Sequence, residues 1–157
     1  MDIYFINEEV TIFVHVLIAS VLTGIIGYER ERIDKPAGIR TNMLVGGAVT
    51  LLVSQGKTIV EFFEKSGIDT MSADPIRIIH AIIVGISFIG AGMVLQIENE
   101  YRVKYLTTAA TILFSTGVGI AVALHQYILA VGVTLLILFV NSVIALIGVQ
   151  IKKKKTD

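Results

Sequence analysis

The sequence has no cysteine and few charged residues. None of the 157 residues is a cysteine, so the chain has no disulfide, no thiolate nucleophile and no zinc–thiolate site. Only 17% of the residues are charged, whereas a soluble domain has roughly 25%. Apolar residues make up 54% of the chain, and its mean hydropathy is +0.79. The composition therefore indicates a membrane protein, and the net charge of zero gives no sign of nucleic-acid binding.

Five apolar runs have about the length of a membrane-crossing helix. They cover residues 10–28, 40–60, 75–97, 107–124 and 126–150, and a lysine tail follows at 152–155. Asp74 precedes Pro75 and is predicted to cap the third helix. The acidic segment before residue 10 argues against a cleaved signal peptide. We therefore predict one all-α domain over residues 1–157, a polytopic membrane bundle of about five transmembrane helices.

The basic residues predict the orientation of this bundle, because cytoplasmic loops collect Lys and Arg. If the five runs all cross the membrane, ten basic residues fall on one side and three on the other. The side with ten holds the loop after the first span, the loop after the third span and the lysine tail. This distribution predicts an N-terminus outside the cytoplasm and a C-terminus inside it.

The segment 27–42 is the most informative stretch of the chain. It contains seven charged residues, four of which alternate in sign at positions 29–32. Pro36 and Gly38 allow a fixed turn, and Thr41 is a candidate cap for the next helix. If the loop folds back, Arg40 is expected to pair with Glu29 or Glu31. The plainer interpretation is a solvated, positively charged cytoplasmic loop.

Several motifs in this order resemble the MgtC/SapB family of bacterial membrane proteins. The resemblance extends over about residues 10–148. The motifs that carry it are Glu29-Arg30-Glu31-Arg32, Lys35-Pro36-Ala37-Gly38-Ile39-Arg40-Thr41, Met43-Leu44-Val45, Asp74-Pro75-Ile76-Arg77, Gly85-Ile86-Ser87-Phe88-Ile89-Gly90-Ala91-Gly92, Leu106-Thr107-Thr108-Ala109-Ala110 and Thr116-Gly117-Val118-Gly119-Ile120. Two positions depart from the family pattern: Asn42 stands where His is frequent, and Ser87 where Gly is frequent.

The resemblance implies a biological setting more than a mechanism. Members of this family are linked to survival at low magnesium and to virulence, and they reside in the bacterial cytoplasmic membrane. Some are thought to act on other membrane proteins, including a rotary ATP synthase, without carrying magnesium themselves. Many also have a soluble C-terminal domain. Since this chain ends in lysines, a function housed in that domain is expected to be absent.

The residues themselves argue against active cation transport. Mg²⁺ prefers carboxylate, carbonyl and water oxygens, yet the five predicted spans contain no Asp or Glu that would form a relay at the membrane midplane. A passive path for ions, lined by hydroxyl groups and backbone oxygens, remains an alternative. A weak repeat between 38–41 and 105–108 is compatible with a transporter and equally with a bundle of two similar hairpins. No paired catalytic carboxylates or nucleophile–base spacing is present, so no enzyme activity and no cofactor are predicted.

Other polar and small residues within the spans have two interpretations each. His15 is expected to bond to another helix or to have a functional role, and Asn141 to join helices. His80 is read as a partly wet interface residue or as a pH-sensitive group. The small residues of the third and fourth spans indicate tight packing, either within one bundle or between two copies.

We therefore predict a regulatory or interaction protein for magnesium homeostasis and ionic stress, with a magnesium or small-solute channel or transporter as the alternative. The expected partners are the lipid bilayer, other membrane proteins, Mg²⁺ and a second copy of the chain. Asp74 is interpreted as a helix cap in preference to a cation ligand, because Arg77 follows on the same face. The candidate functional residues are Glu29, Arg30, Glu31, Arg40, Thr41, Asn42, Asp74, Arg77, Thr107 and Thr108.

Overall fold

The computed structural model describes residues 2–65, 75–95 and 105–153, and within them it is entirely helical. The helices are α1 (Asp2–Arg32), α2 (Ile39–Lys65), α3 (Pro75–Leu95), α4 (Leu106–Ala123) and α5 (Tyr127–Lys153). Each contains one of the five predicted spans or most of it. The all-α prediction and the count of five helices are confirmed for the described residues.

Helices α1 and α2 form a tight hairpin, and its turn is fixed by backbone hydrogen bonds. At the end of α1, the N–H of Lys35 donates to the carbonyl of Arg30 (3.0 Å) and that of Asp34 to Glu31 (3.2 Å). Asp34 has a φ of 51°. This is the Schellman pattern, in which a left-handed residue ends the helix and satisfies its last carbonyls. Gly27 is required nearby, since a Cβ there would lie 2.6 Å from the carbonyl oxygen of Gly38.

The larger apolar core cluster lies between α1, α4 and α5, and a second cluster joins α2 to α4. The fully buried apolar side chains of the larger cluster include Ala19 and Ile26 of α1, Val118 and Val122 of α4, and Ala130 of α5. Helices α2 and α4 also approach closely, because a Cβ on Gly119 would lie 2.7 Å from the carbonyl oxygen of Gly46. Thr50 joins the same two helices by donating to the carbonyl of Gly119 at 2.9 Å.

Helix α3 lies at the edge of the bundle, against α2 and α4. Ile78 fills the space beside Gly56 of α2, and Gly90 faces Ala109 of α4. Packing within one bundle is therefore confirmed for Gly90. Gly85 and Gly92, by contrast, have no described atom within 4 Å of where a Cβ would be.

Four of the helices, α1 to α4, are long and apolar enough to cross a membrane. In α5 the described apolar stretch, Tyr127–Ser142, is shorter than this. The chain is a multi-pass membrane protein. The crossing of the fifth helix and the orientation of the termini stay predictions.

Candidate functional site

The candidate site is built around Arg30, near the C-terminal end of α1. Arg30 lies on the same face of α1 as Ala19, Thr23 and Ile26, at intervals of four, three and four residues, and this face is buried in the bundle. The Arg30 residue is only 3% exposed. A buried cation is costly unless charge and hydrogen bonds compensate it, so its partners define the site.

Arg30 joins α1 to α4 and α5 through one end of its guanidinium group. Its Nη2 donates to the hydroxyl of Thr111, to the side-chain Oδ1 of Asn141 at 3.0 Å, and at 3.4 Å to the carbonyl of Thr107. We call Glu29, Arg30, Thr107, Thr111 and Asn141 the Arg30 cluster. It ties three helices together at the end of the bundle where α1 ends and α4 begins, called here the basic end.

Glu29 supplies the negative charge of this cluster. One of its carboxylate oxygens lies 3.8 Å from Arg30 Nε and accepts a hydrogen bond of 3.1 Å from the Nδ2 of Asn141. The amide of Asn141 therefore donates to Glu29 and accepts from Arg30, which confirms its predicted role in joining helices. Nε itself has no hydrogen-bond partner, the one buried side-chain nitrogen or oxygen in the described part of the chain with none.

Asn42 organises a second set of contacts one helical turn further along α4. It is fully buried, and its Nδ2 donates to the carbonyls of Ala37 and Gly38 at 2.5 and 3.0 Å. Its Oδ1 accepts from the hydroxyl of Ser115 at 2.7 Å. Asn42 thus fixes the α1–α2 turn and joins it to α4.

The predicted pairing of Arg40 with Glu29 or Glu31 is wrong. Arg40 is exposed, and among the described residues no ion pair joins it to either acid. The two carboxylates have other partners: Glu29 has the Asn141 amide and Arg30, and Glu31 Oε2 accepts the backbone N–H of Ile39 at 3.0 Å. The buried arginine of this segment is Arg30, at the end of α1.

Thr41 does not cap α2 as expected. The helix begins at Ile39, so Thr41 is its third residue, and its side chain is exposed. The backbone N–H groups at a helix start need outside acceptors. Here Glu31 satisfies one of them from the end of α1.

The remaining predicted residues are divided between the two ends of the bundle. Thr108 is buried at the start of α4, and Thr107 contributes its carbonyl to the Arg30 cluster while its side chain is exposed. Arg77 is exposed in the first turn of α3, away from the basic end. Asp74 lies outside the described residues, so its capping role stays a prediction.

A cavity of about 260 Å³ opens beside the Arg30 cluster. Its polar lining comes from the loop after α1, the start of α4 and the middle of α5. The polar residues that line it are Arg30, Lys35, Tyr105, Thr107, Thr108 and Asn141. Two of them are basic, and none of the described lining residues is acidic. Nor do the described residues contain a group of three or more His, Asp and Glu side chains able to hold a metal ion.

Sequence reasoning missed Thr111, Ser115 and Tyr105 as members of this region. A signal for the first two was present, because Thr108, Thr111 and Ser115 recur at intervals of three and four on the buried face of α4. Tyr105 precedes α4 with a φ of 67°. That left-handed conformation has no signature in the sequence.

His15 makes the interhelical bond expected of it. Its residue is 6% exposed, and its Nε2 lies 2.6 Å from the hydroxyl of Tyr127 at the start of α5. The ring of His125 lies edge-on at 4.6 Å between ring centroids. These contacts lie at the opposite end of α1 from Arg30. His80 is exposed on α3.

Comparison with known proteins identifies the family. The model of the MgtC family matches residues 16–149, which include the α1–α2 turn, Asn42 and the whole Arg30 cluster. The chain belongs to the MgtC family. The resemblance seen in its motifs is therefore confirmed.

The relatives of this MgtC-family chain include proteins from three bacteria. Protein MgtC of Salmonella typhimurium is 35% identical over 140 residues, which are 86% of this chain and 54% of that protein. The putative magnesium transporter YhiD of Escherichia coli K12 is 32% identical over 118 residues, 75% of this chain and 53% of the relative. An uncharacterized protein of Haemophilus influenzae is 34% identical over 131 residues, 83% and 54% of the two chains.

The chain spans about half the length of the curated relatives it matches. No solved structure matches it.

Proposed function

We propose that this chain is a regulatory interaction protein of the bacterial cytoplasmic membrane, serving magnesium homeostasis, and that α3 is the helix that contacts its partner. The observation that carries the proposal is the burial of α3. Only 6% of the residues in the most apolar stretch of α3 are buried, whereas the corresponding share is 33–56% in α1, α2 and α4. The family and the name of its YhiD relative support the link to magnesium.

The outward face of α3 has the shape that membrane helices use to associate. Ala81, Gly85 and Gly92 are exposed at intervals of four and seven residues, which places them in one stripe. Beside Gly85 and Gly92, the described part of the chain leaves the space for a Cβ open. Small residues in such a stripe allow two helix backbones to approach closely. The occupant that we propose is a transmembrane helix of another membrane protein.

Transport of Mg²⁺ is the second candidate, favoured by the name of the YhiD relative and by the buried hydroxyl groups of α4. The site gives it less support. Thr111 and Thr116 donate to carbonyls of their own helix, and Ser115 donates to Asn42. Lys35 and the buried Arg30 line the cavity at the basic end, so an approaching Mg²⁺ would be repelled.

The test replaces a glycine of the exposed stripe by a large side chain. Gly85→Leu should leave the abundance and folding of the protein unchanged, because the space beside this glycine is open. It should abolish growth support at limiting magnesium in a bacterium lacking its own family member. The matched control is Gly132→Leu on α5, where the space is equally open, and this variant should remain active.

A flux assay separates the two candidate functions. Purified protein in liposomes should carry no Mg²⁺ above the empty-liposome background. If the wild-type protein carried Mg²⁺ and the Gly85→Leu variant carried it equally well, the result would contradict the interaction proposal and favour transport. Equal activity of the Gly85 and Gly132 variants in cells would remove α3 as the contact helix.

A further inference from the structure

The cavity at the basic end has the chemistry of an anion site. Within the described lining, the charged side chains are Arg30 and Lys35, and both are cationic. Of the nearby carboxylates, Glu29 pairs with Arg30 at 3.8 Å and accepts from Asn141, and Glu31 accepts from the backbone of Ile39. Lys35 is therefore the cation of the lining that no carboxylate pairs with among the described residues. A volume of about 260 Å³ is several times the roughly 30 Å³ that a liquid water molecule occupies. The cavity therefore has room for a small polyatomic anion.

The start of α4 adds hydrogen-bond donors to the same cavity. The first N–H groups of a helix lack partners within the helix, and the helix dipole favours an anion beside them. In α4, Tyr105 at the N-cap position makes no side-chain cap bond. Tyr105, Thr107 and Thr108 of this terminus all line the cavity. Each of these three residues carries a hydroxyl group that is able to donate a hydrogen bond.

The guanidinium of Arg30 is an independent indication of a ligand. Arg30 lines the cavity although its residue is only 3% exposed, and its buried Nε has no hydrogen-bond partner among the described residues. Glu29 lies 3.8 Å from that nitrogen, too far for a hydrogen bond. Glu29 and the three acceptors of Nη2 compensate Arg30 in part, and an oxyanion in the cavity would add a second negative charge beside this buried cation, which offsets more of its desolvation.

We propose that Arg30, Lys35 and the N-terminus of α4 bind a phosphate-class oxyanion in this cavity. The same chemistry is offered by free inorganic phosphate and by the phosphodiester headgroup of an anionic lipid. The site is separate from α3, so it stands or falls independently of the partner helix proposed above.

The first arm of the test measures binding of inorganic phosphate. The full chain, purified in a neutral maltoside detergent, is titrated with phosphate against chloride at matched ionic strength, and the thermal unfolding midpoint is followed. Phosphate should raise the midpoint. Lys35→Gln should weaken binding about three- to tenfold. Arg32→Gln removes an exposed cation at the end of α1 that does not line the cavity, and it should change binding by less than about twofold.

The second arm uses lipid as the probe. The chain is incorporated into nanodiscs of phosphatidylcholine with or without phosphatidylglycerol, and retained lipid is counted by native mass spectrometry after extraction. Selective retention of phosphatidylglycerol that is lost in Lys35→Gln and kept in Arg32→Gln identifies the headgroup as the source. A response to phosphate in the first arm without such retention identifies a soluble oxyanion.

Arg30→Gln is not the test variant, because it also removes hydrogen bonds that join three helices. Lys35 is exposed in the turn after α1, so its replacement leaves the fold intact. The proposal is overturned if neither phosphate nor phosphatidylglycerol binds the wild-type chain. It is equally overturned if Lys35→Gln and Arg32→Gln affect both probes alike, since the response then comes from surface charge.

Discussion

Helices α3 and α4 are both apolar enough to span a membrane, yet they occupy opposite positions in the molecule. In α4, 56% of the residues in the most apolar stretch are buried, whereas in α3 only 6% of them are. The two helices differ in their polar side chains. Helix α4 has four buried hydroxyl residues, Thr108, Thr111, Ser115 and Thr116, and α3 has an exposed Ser87 and open glycines.

This difference follows from the solvent. Lipid tails are as apolar as leucine, so hydrophobicity alone does not draw one membrane helix against another. Interhelical hydrogen bonds and close backbone contacts do, and α4 has both. Ser115 donates to Asn42 of α2, and Gly119 lies against Gly46. Helix α3 is left with an apolar face toward lipid or a partner.

The largest effect on stability is expected at Arg30, which bonds α1 to the buried helix α4 and to α5. Arg30→Ala removes the donor shared by Thr111, Asn141 and the Thr107 carbonyl, and leaves Glu29 without its cation. The variant should lose about 2–4 kcal/mol of unfolding free energy, because the Glu29 carboxylate, whose side chain is 14% exposed, is left without its countercharge. Equilibrium unfolding in mixed micelles measures this loss.

Arg32→Ala is the control for that experiment, since Arg32 ends the same helix with an exposed side chain. It should be within about 0.5 kcal/mol of wild type. If both variants lost the same stability, the Arg30 cluster would not be what holds α1 to α4 and α5.

A second test uses one substitution in both helices. Gly119→Ala should cost about 1–3 kcal/mol, because the new Cβ would lie 2.7 Å from the Gly46 carbonyl oxygen. Gly85→Ala meets open space and should stabilise α3 by about 0.5–1 kcal/mol through helix propensity. Unfolding measurements on the two variants should therefore differ in sign. A cost at Gly85 in the monomer would show that this face is already packed.

The same comparison explains what the sequence could predict. Apolar runs and breakers placed the helices well: α2 begins at Ile39, just after Pro36 and Gly38, and α3 at Pro75. The pairing predicted for Arg40 failed, and of the two candidate arginines it is Arg30 that is buried. Four charges in a row at 29–32 point to different sides of one helix turn, and these four residues by themselves do not indicate which side is buried.

A sequence signal for Arg30 existed within its own helix. Thr23 lies seven residues earlier, on the same face, and is fully buried. A polar residue recurring at helical spacing in an apolar span marks the packed face. By contrast, the contact between Glu31 and Ile39 depends on the geometry of the turn, which the sequence does not specify residue by residue.

The smallest predicted effect concerns that turn, where Glu31 bonds to the backbone of α2 and Arg40 makes neither of the ion pairs predicted for it. Glu31 Oε2 accepts the N–H of Ile39 at 3.0 Å, so Glu31→Ala should cost about 1 kcal/mol, as loss of a helix cap does. Arg40 is exposed and unpaired among the described residues, so Arg40→Ala should change stability by less than about 0.5 kcal/mol. Glu31→Gln retains an acceptor oxygen and should restore most of the loss. The unfolding free energies of the three variants test this. A costly Arg40→Ala with a silent Glu31→Ala would mean that the turn is held by an ion pair between Arg40 and Glu29 and not by the cap.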